Sequence, residues 1–230
     1  KNRIDQFTKN RQNIITMLKK INKESIIIYK KNKKYFAPRY VQELKKILKK
    51  NTNSYFLSGG TDLSLVVTKD RKDIDSMIYM NSIDELNYIK NNNKYIEVGA
   101  STPLIKFENY IKKYYSDFNS VLKRYGSVQI RNTATMAGNI ATASPIGDTL
   151  PLLLSLDAKI ILKSIKKTKI VSLNNFFINY RKTKLKTGQF IESIRIPLFP
   201  KNVFKAYKIS KRLDDDISSI CASFNLQLAN

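Results

Sequence analysis

Between Arg131 and Asp148 the chain reads Arg-Asn-Thr-Ala-Thr-Met-Ala-Gly-Asn-Ile-Ala-Thr-Ala-Ser-Pro-Ile-Gly-Asp, and no other stretch constrains the fold so tightly. Ala, Thr, Gly, Ser and Asn dominate it. Small side chains let a backbone come close to another backbone or to a ligand, with amides and hydroxyls left free to donate. Such a stretch is either a small-residue turn packed beneath a sheet or a wall against which a ligand lies. Taken alone it leaves the two readings level.

The side chains available for chemistry narrow the choice. The chain has no histidine and a single cysteine, Cys221. Imidazole general-base chemistry and most zinc sites are therefore excluded, as are an internal disulfide and a cysteine-ligated cluster held by this chain alone. Chemistry here must come largely from a bound cofactor. At 230 residues with 42% hydrophobic content, one large or two small domains can bury a core. No apolar run approaches the roughly 20 residues needed to cross a bilayer. The opening Lys1-Asn-Arg-Ile-Asp-Gln has neither an initiator Met nor a signal-peptide core, so a cytoplasmic chain that starts inside a longer polypeptide is expected. The formal charge of +24 would suit a nucleic-acid partner. The lysines, however, are scattered among Asn, Ile and Tyr, which points to biased codon usage rather than a basic binding block.

Along the chain, residues 1–34 read as a connector. Ile4, Phe7, Ile14, Ile15, Leu18 and Ile21 recur at helical spacing, Ser25 to Tyr29 as a short strand, and Lys30 to Lys34 as a charged turn. A new unit opens at Tyr35. Its expected elements are a helix over Val41 to Lys50, a strand over Ser54 to Leu57, and a helix opening at Thr61 or Asp62. Strands over Ser76 to Met80 and Tyr95 to Val98 follow, then a helix from Pro103 to Tyr115. Asp148 is placed to cap a helix running to Leu156, with Pro151 in its first turn. Ala158 to Leu162 and Lys169 to Leu173 read as a strand pair, and Phe190 to Pro197 as a strand. Residues 199–230 begin a further unit that ends in an apolar strand from Ala222 to Leu228. The mixed order predicts an α+β fold rather than a doubly wound sheet.

Three segments carry the chemistry. In Phe56-Leu-Ser-Gly-Gly-Thr-Asp-Leu63, adjacent glycines after a strand permit positive φ, so that consecutive amides can turn inward as an anion nest; the alternative is a purely structural turn. In the 131–148 stretch, the Asn139 carboxamide suits backbone or a ligand's phosphate or hydroxyl oxygen, and Asp148 suits a helix cap, a ligand's hydroxyls, or both. In Phe204-Lys-Ala-Tyr-Lys-Ile-Ser-Lys-Arg-Leu-Asp-Asp-Asp-Ile217, the charges suit a solvated ion-pair turn. A cation at Lys208 in a dry pocket would instead stabilise an anion held there.

These segments, in this order, resemble the FAD domain of the molybdenum hydroxylase flavoproteins, and among them the xanthine dehydrogenase type. The resemblance runs from Tyr35-Phe-Ala-Pro-Arg through Gly59-Gly-Thr-Asp-Leu, Val66-Val-Thr-Lys, Gly138-Asn-Ile-Ala and Ala143-Ser-Pro-Ile-Gly-Asp to Lys208-Ile-Ser-Lys-Arg-Leu-Asp-Asp-Asp-Ile. It implies an FAD-binding domain over 35–198, with two α+β lobes clasping FAD as in the vanillyl-alcohol oxidase (PCMH) type. The start of a truncated C-terminal flavoprotein subdomain over 199–230 would follow. It also implies that Phe56, Leu57, Ser58, Gly59, Gly60, Thr61, Asp62 and Leu63 wrap the pyrophosphate, and that Ala134, Thr135, Gly138, Asn139, Thr142 and Asp148 contact the cofactor. Tyr125 would be an aromatic near the flavin, Ile191 an aliphatic against its ring, and Lys208 a flavin-side lysine.

The family's cysteine-rich region, which holds [2Fe-2S] clusters ahead of the FAD domain, has only its tail here. The chain is thus expected to be a fragment that binds FAD but neither the clusters nor molybdopterin. Its expected partners are a molybdopterin-binding large subunit in a hetero-oligomer and NAD+ as electron acceptor, with no nucleic acid and no membrane. The alternatives are the flavoprotein subunit of another molybdenum hydroxylase, acting on carbon monoxide, an aldehyde or an aromatic acid, and a basic nucleic-acid-binding module.

Overall fold

A computed structural model describes residues 5–21 and 24–228. Helix α1 (Gln6–Lys20) is capped by the Asp5 carboxylate, which accepts from the Thr8 amide at 2.8 Å. The periodicity that predicted it is present, but Phe7, Met17 and Leu18 on it are exposed. Ile4 lies outside the described residues.

Strand β1 (Ile26–Lys30) turns through Lys31 and Asn32 into β2 (Lys33–Ala37), so the predicted charged turn is shorter than five residues and Lys33 and Lys34 are already strand. Both strands belong to the first sheet, which thus takes in residues assigned above to a connector. Helix α2 (Val41–Lys50) buries Val41, Leu44 and Leu48 along one stripe, and the Glu43 carboxylate reaches back to accept the Arg39 amide at 2.8 Å. Strand β3 (Tyr55–Leu57), helix α3 (Ser64–Thr68) and strand β4 (Ser76–Tyr79) complete the first unit. The sheet order is β1-β2-β4-β3, with β4 parallel to both β2 and β3.

The second sheet is entirely antiparallel. It comprises β5 (Ile89–Asn91), β6 (Tyr95–Gly99), β7 (Lys159–Lys163), β8 (Thr168–Ser172) and β11 (Phe190–Pro197) in the order β5-β6-β11-β7-β8. Between β6 and β7 the chain forms five helices: α4 (Leu104–Ile111), α5 (Ser116–Lys123), α6 (Val128–Thr133), α7 (Met136–Ala141) and α8 (Thr149–Ser155). The helix predicted to reach Tyr115 stops at Ile111, and the 131–148 stretch contributes to two short helices rather than a plain turn. A small hairpin, β9 (Phe177–Asn179) and β10 (Lys182–Thr183), precedes β11. Strands β12 (Val203–Ile209) and β13 (Ile220–Leu226) pair antiparallel, with Lys208 opposite Cys221.

Each sheet has its own core. Phe36, Leu44, Leu48, Ile78, Ile83 and Leu86 pack in the smaller one, where Phe190 joins them from the second sheet. The larger core sets Ile96, Val98, Ile160, Leu162, Ile194 and Ile196 against the helices, including Leu104, Phe107, Phe118, Ile140 and Leu153. A mixed α and β architecture is therefore present, with parallel pairs confined to the first sheet.

Candidate functional site

Where the two units meet, an open cavity of about 350 Å³ collects the loop after β3, the turn between α5 and α6, helix α7, the 142–148 loop and the segment after β12. This volume lies within the usual range for small-molecule sites. Of the predicted residues, Phe56, Ser58, Gly59, Gly60, Thr61, Asp62, Leu63, Tyr125, Ala134, Thr135, Gly138, Asn139, Thr142, Asp148 and Lys208 line it.

Leu57 and Ile191 do not. A register shift between Ile191 and Ser193 keeps Ile191 on the same face as Ile194 and Ile196, so its side chain enters the larger core rather than the cavity wall. Sequence reasoning missed Leu65, Gly126, Ile130, Ser144, Ile146, Asp215, Asp216 and Ile217. Most of these adjoin motif residues, and the Asp-Asp-Asp run was legible as a charged loop.

The Gly-Gly loop is built for close approach. A Cβ on Gly59 would sit 2.2 Å from the Thr133 carbonyl oxygen, so only glycine lets this loop lie on the end of α6. Gly60 has φ +71°, which glycine adopts without strain. None of the amides of residues 59–63 is engaged by a protein acceptor among the described residues. They are a run of donors beside a cavity, the chemistry an anion such as a pyrophosphate requires. The helix expected from Thr61 or Asp62 instead begins at Ser64 and spans five residues, so it adds little dipole to the nest.

The opposite wall is cross-braced. The buried Arg131 donates from Nε to Glu108 at 2.9 Å and from Nη1 to the Gly126 carbonyl at 2.9 Å and the Tyr125 carbonyl at 3.2 Å. This holds the turn that presents Tyr125, whose ring lines the cavity. Burial, with Asp148 and Asp62 nearby, pushes the Tyr125 phenol up to about 12. Asn139 Nδ2 lies 3.2 Å from the Tyr125 hydroxyl, and Thr149 Oγ1 donates to Asn139 Oδ1.

Asp148 departs from its expected role. It occupies the N-cap position of α8, but its backbone is already helical and its side chain makes no capping bond. The carboxylate instead accepts from Lys208 Nζ at 2.7 Å and from the Ser218 hydroxyl. Lys208 is equally committed. Its ammonium donates to Asp148, to the Arg124 carbonyl at 2.8 Å and to the Asp216 carbonyl at 2.9 Å, with the side chain 2% exposed. Arg124 returns the favour by donating to the Lys208 and Leu213 carbonyls and to Ser210. The solvated ion-pair reading suits Arg212 and Asp216, whose pair sits at 3.3 Å with Arg212 exposed, but not Lys208. Beside this cluster, burial and Asp148 push the Cys221 thiol up to about 12, which leaves it unreactive at neutral pH.

Residues 29–199 match the family described as the FAD binding domain in molybdopterin dehydrogenase. The chain is 34% identical to a xanthine dehydrogenase of Blastobotrys adeninivorans, covering 92% of this chain and 16% of that protein. It is 29% identical to the nicotinate dehydrogenase FAD-subunit of Eubacterium barkeri, covering 83% of this chain and 67% of that subunit. In fold it is similar to a chain of the reconstituted CO dehydrogenase from Oligotropha carboxidovorans, with a TM-score of 0.80 at 20% identity over 88% of this chain and 71% of that one. The chain spans 16% of the length of the first xanthine dehydrogenases it matches.

Proposed function

The chain belongs to the family of FAD-binding domains in molybdopterin dehydrogenases, and on that premise we propose that the cavity between its two sheets is the FAD site. The observation that carries this reading is the run of unengaged amides at residues 59–63 facing Tyr125 and Asn139 across one cavity. Those amides receive the pyrophosphate, with Gly59 and Gly60 allowing the approach. Tyr125, Ala134, Thr135, Gly138, Asn139 and Thr142 form the wall along which the rest of the cofactor lies. The two units clasp it as the lobes of a PCMH-type domain, and binding is non-covalent. Bound FAD supplies two-electron redox chemistry, while the chain supplies position, shielding and electrostatics.

Within a complete enzyme, a molybdenum centre and iron–sulfur clusters would supply the electrons and NAD+ would accept them, while this chain would hold the flavin between. The xanthine type is favoured over another hydroxylase by the Lys-Arg-Leu-Asp-Asp-Asp run. A molybdopterin-binding subunit is the expected partner. Among the described residues no helix is long and apolar enough to cross a membrane.

Titrating the purified chain with FAD and following quenching of flavin fluorescence tests the site. Saturable binding at one FAD per chain is expected. Absence of binding by a folded chain would overturn the proposal.

A further inference from the structure

The charges that line the cavity are poorly matched to an anion. Asp62, Asp148, Asp215 and Asp216 stand there against one cation, Lys208. All three donors of that ammonium are spent, on Asp148 and on the Arg124 and Asp216 carbonyls. The amides of residues 59–63 donate hydrogen bonds but carry no net charge, and the Asp62 carboxylate stands among them. A dianionic pyrophosphate placed there gains no counter-charge from the lining.

The hairpin before β11 supplies one. Strands β9 and β10 leave Tyr180 and Arg181 to make the turn, and Arg181 Nη1 lies 3.5 Å from Asp62 Oδ1. Asp62 is the one charged residue of the 56–63 loop, so this pair brings a guanidinium to the loop whose amides are unengaged. The contact is loose, and the Arg181 side chain is 44% exposed. A guanidinium has five donors in a fixed fork, so a single carboxylate oxygen at that distance leaves most of it open to a second acceptor. Arg181 also takes φ +50°, a left-handed backbone that glycine or asparagine adopts at lower cost. The turn thus keeps a side chain that backbone preference alone does not favour.

We propose that Arg181 is a further FAD-binding residue: its guanidinium, drawn to the 56–63 loop by Asp62, donates to the pyrophosphate and supplies the counter-charge that the lining lacks. Asp62 is then a positioning residue for Arg181. The inference rests on the FAD reading above and deepens it by naming what balances the phosphate charge. Arginine suits the task, because its planar fork can serve a carboxylate and a phosphate oxygen together.

The test compares FAD dissociation constants of wild type, Arg181→Gln, Arg181→Lys and Asp62→Asn over a range of salt concentrations. Both side chains are well exposed, so the variants should fold, which far-UV circular dichroism checks. Arg181→Gln should weaken binding roughly three- to tenfold at low salt, less than a buried charge-assisted bond is worth because the site is open to water. Its affinity should also fall less steeply with added salt than that of wild type, since one attraction between cation and phosphate is gone. Arg181→Lys should keep the wild-type salt dependence and part of the affinity. Asp62→Asn, which leaves the guanidinium in the chain, should lose less than Arg181→Gln. Wild-type affinity in Arg181→Gln, or weakened affinity with the wild-type salt dependence, would overturn the inference. So would equal losses in Asp62→Asn and Arg181→Gln, which would make the pair only a latch between hairpin and loop. Failure of folded wild type to bind FAD would defeat the parent reading instead.

Discussion

Replacing Lys208 with methionine removes a cation while keeping an apolar side chain of similar length. The ammonium is 2% exposed, sits 2.7 Å from Asp148 and donates to two carbonyls as well. Deleting it strands the Asp148 carboxylate, 5% exposed, with only Ser218 as a side-chain donor. Breaking one side of a buried pair in this way costs about 3–5 kcal/mol. For a chain of this size that corresponds to a fall in Tm on the order of 10 °C. The loss is independent of FAD, because all three ammonium bonds lie within the protein. Urea denaturation of the FAD-free chain measures it, and the cycle with Asp148→Leu sharpens it. Removing both partners should recover much of the stability, since an apolar pair has no charge to desolvate. A Lys208→Met variant as stable as wild type without FAD would refute the strut. It would return Lys208 to the flavin-tuning role that its position on the cavity wall also permits.

Gly59→Ala should abolish FAD retention and lower stability together, because the added carbon would overlap the Thr133 carbonyl 2.2 Å away; flavin content and thermal melting of the purified variant report both. Glu108→Gln should leave the Arg131 charge buried without its partner and cost on the order of 3 kcal/mol in urea, and FAD affinity should fall as the Tyr125 turn loosens. In alkali, Cys221, Tyr88 and Tyr125 all have folded-state pKa values raised to about 12, from ordinary values of 9.0 for the thiol and 10.0 for the phenols. Their contribution is full below pH 9.0 and should be lost progressively toward pH 12, which urea titrations across that window would show. Stability that does not fall there would contradict the burial of these groups.

Local signals carried much of this structure into the sequence. Strand β11 runs from Phe190 to Pro197 as its alternation predicted, and α2 follows its apolar stripe. The Gly-Gly loop and the 131–148 stretch were legible as places of close approach, since glycine and alanine density has few other uses. Partners far along the chain were not legible. Asp148 precedes a helix with Pro151 in its first turn, which is a capping signature. Its actual partners, Lys208 and Ser218, lie 60 and 70 residues away and leave no local trace. The same holds for Arg124, whose three bonds reach across to residues 208–213. Ile191 lies in the larger core because of a register shift that is invisible in a strand's alternation. The site's composition was thus readable, whereas its bracing had to be seen.

A crystal structure of the chain with FAD tests the account most directly. The pyrophosphate should lie on the amides of residues 59–63, with the rest of the cofactor along the wall that carries Tyr125 and Asn139. FAD bound elsewhere, or bound here with those amides still unengaged, would contradict it.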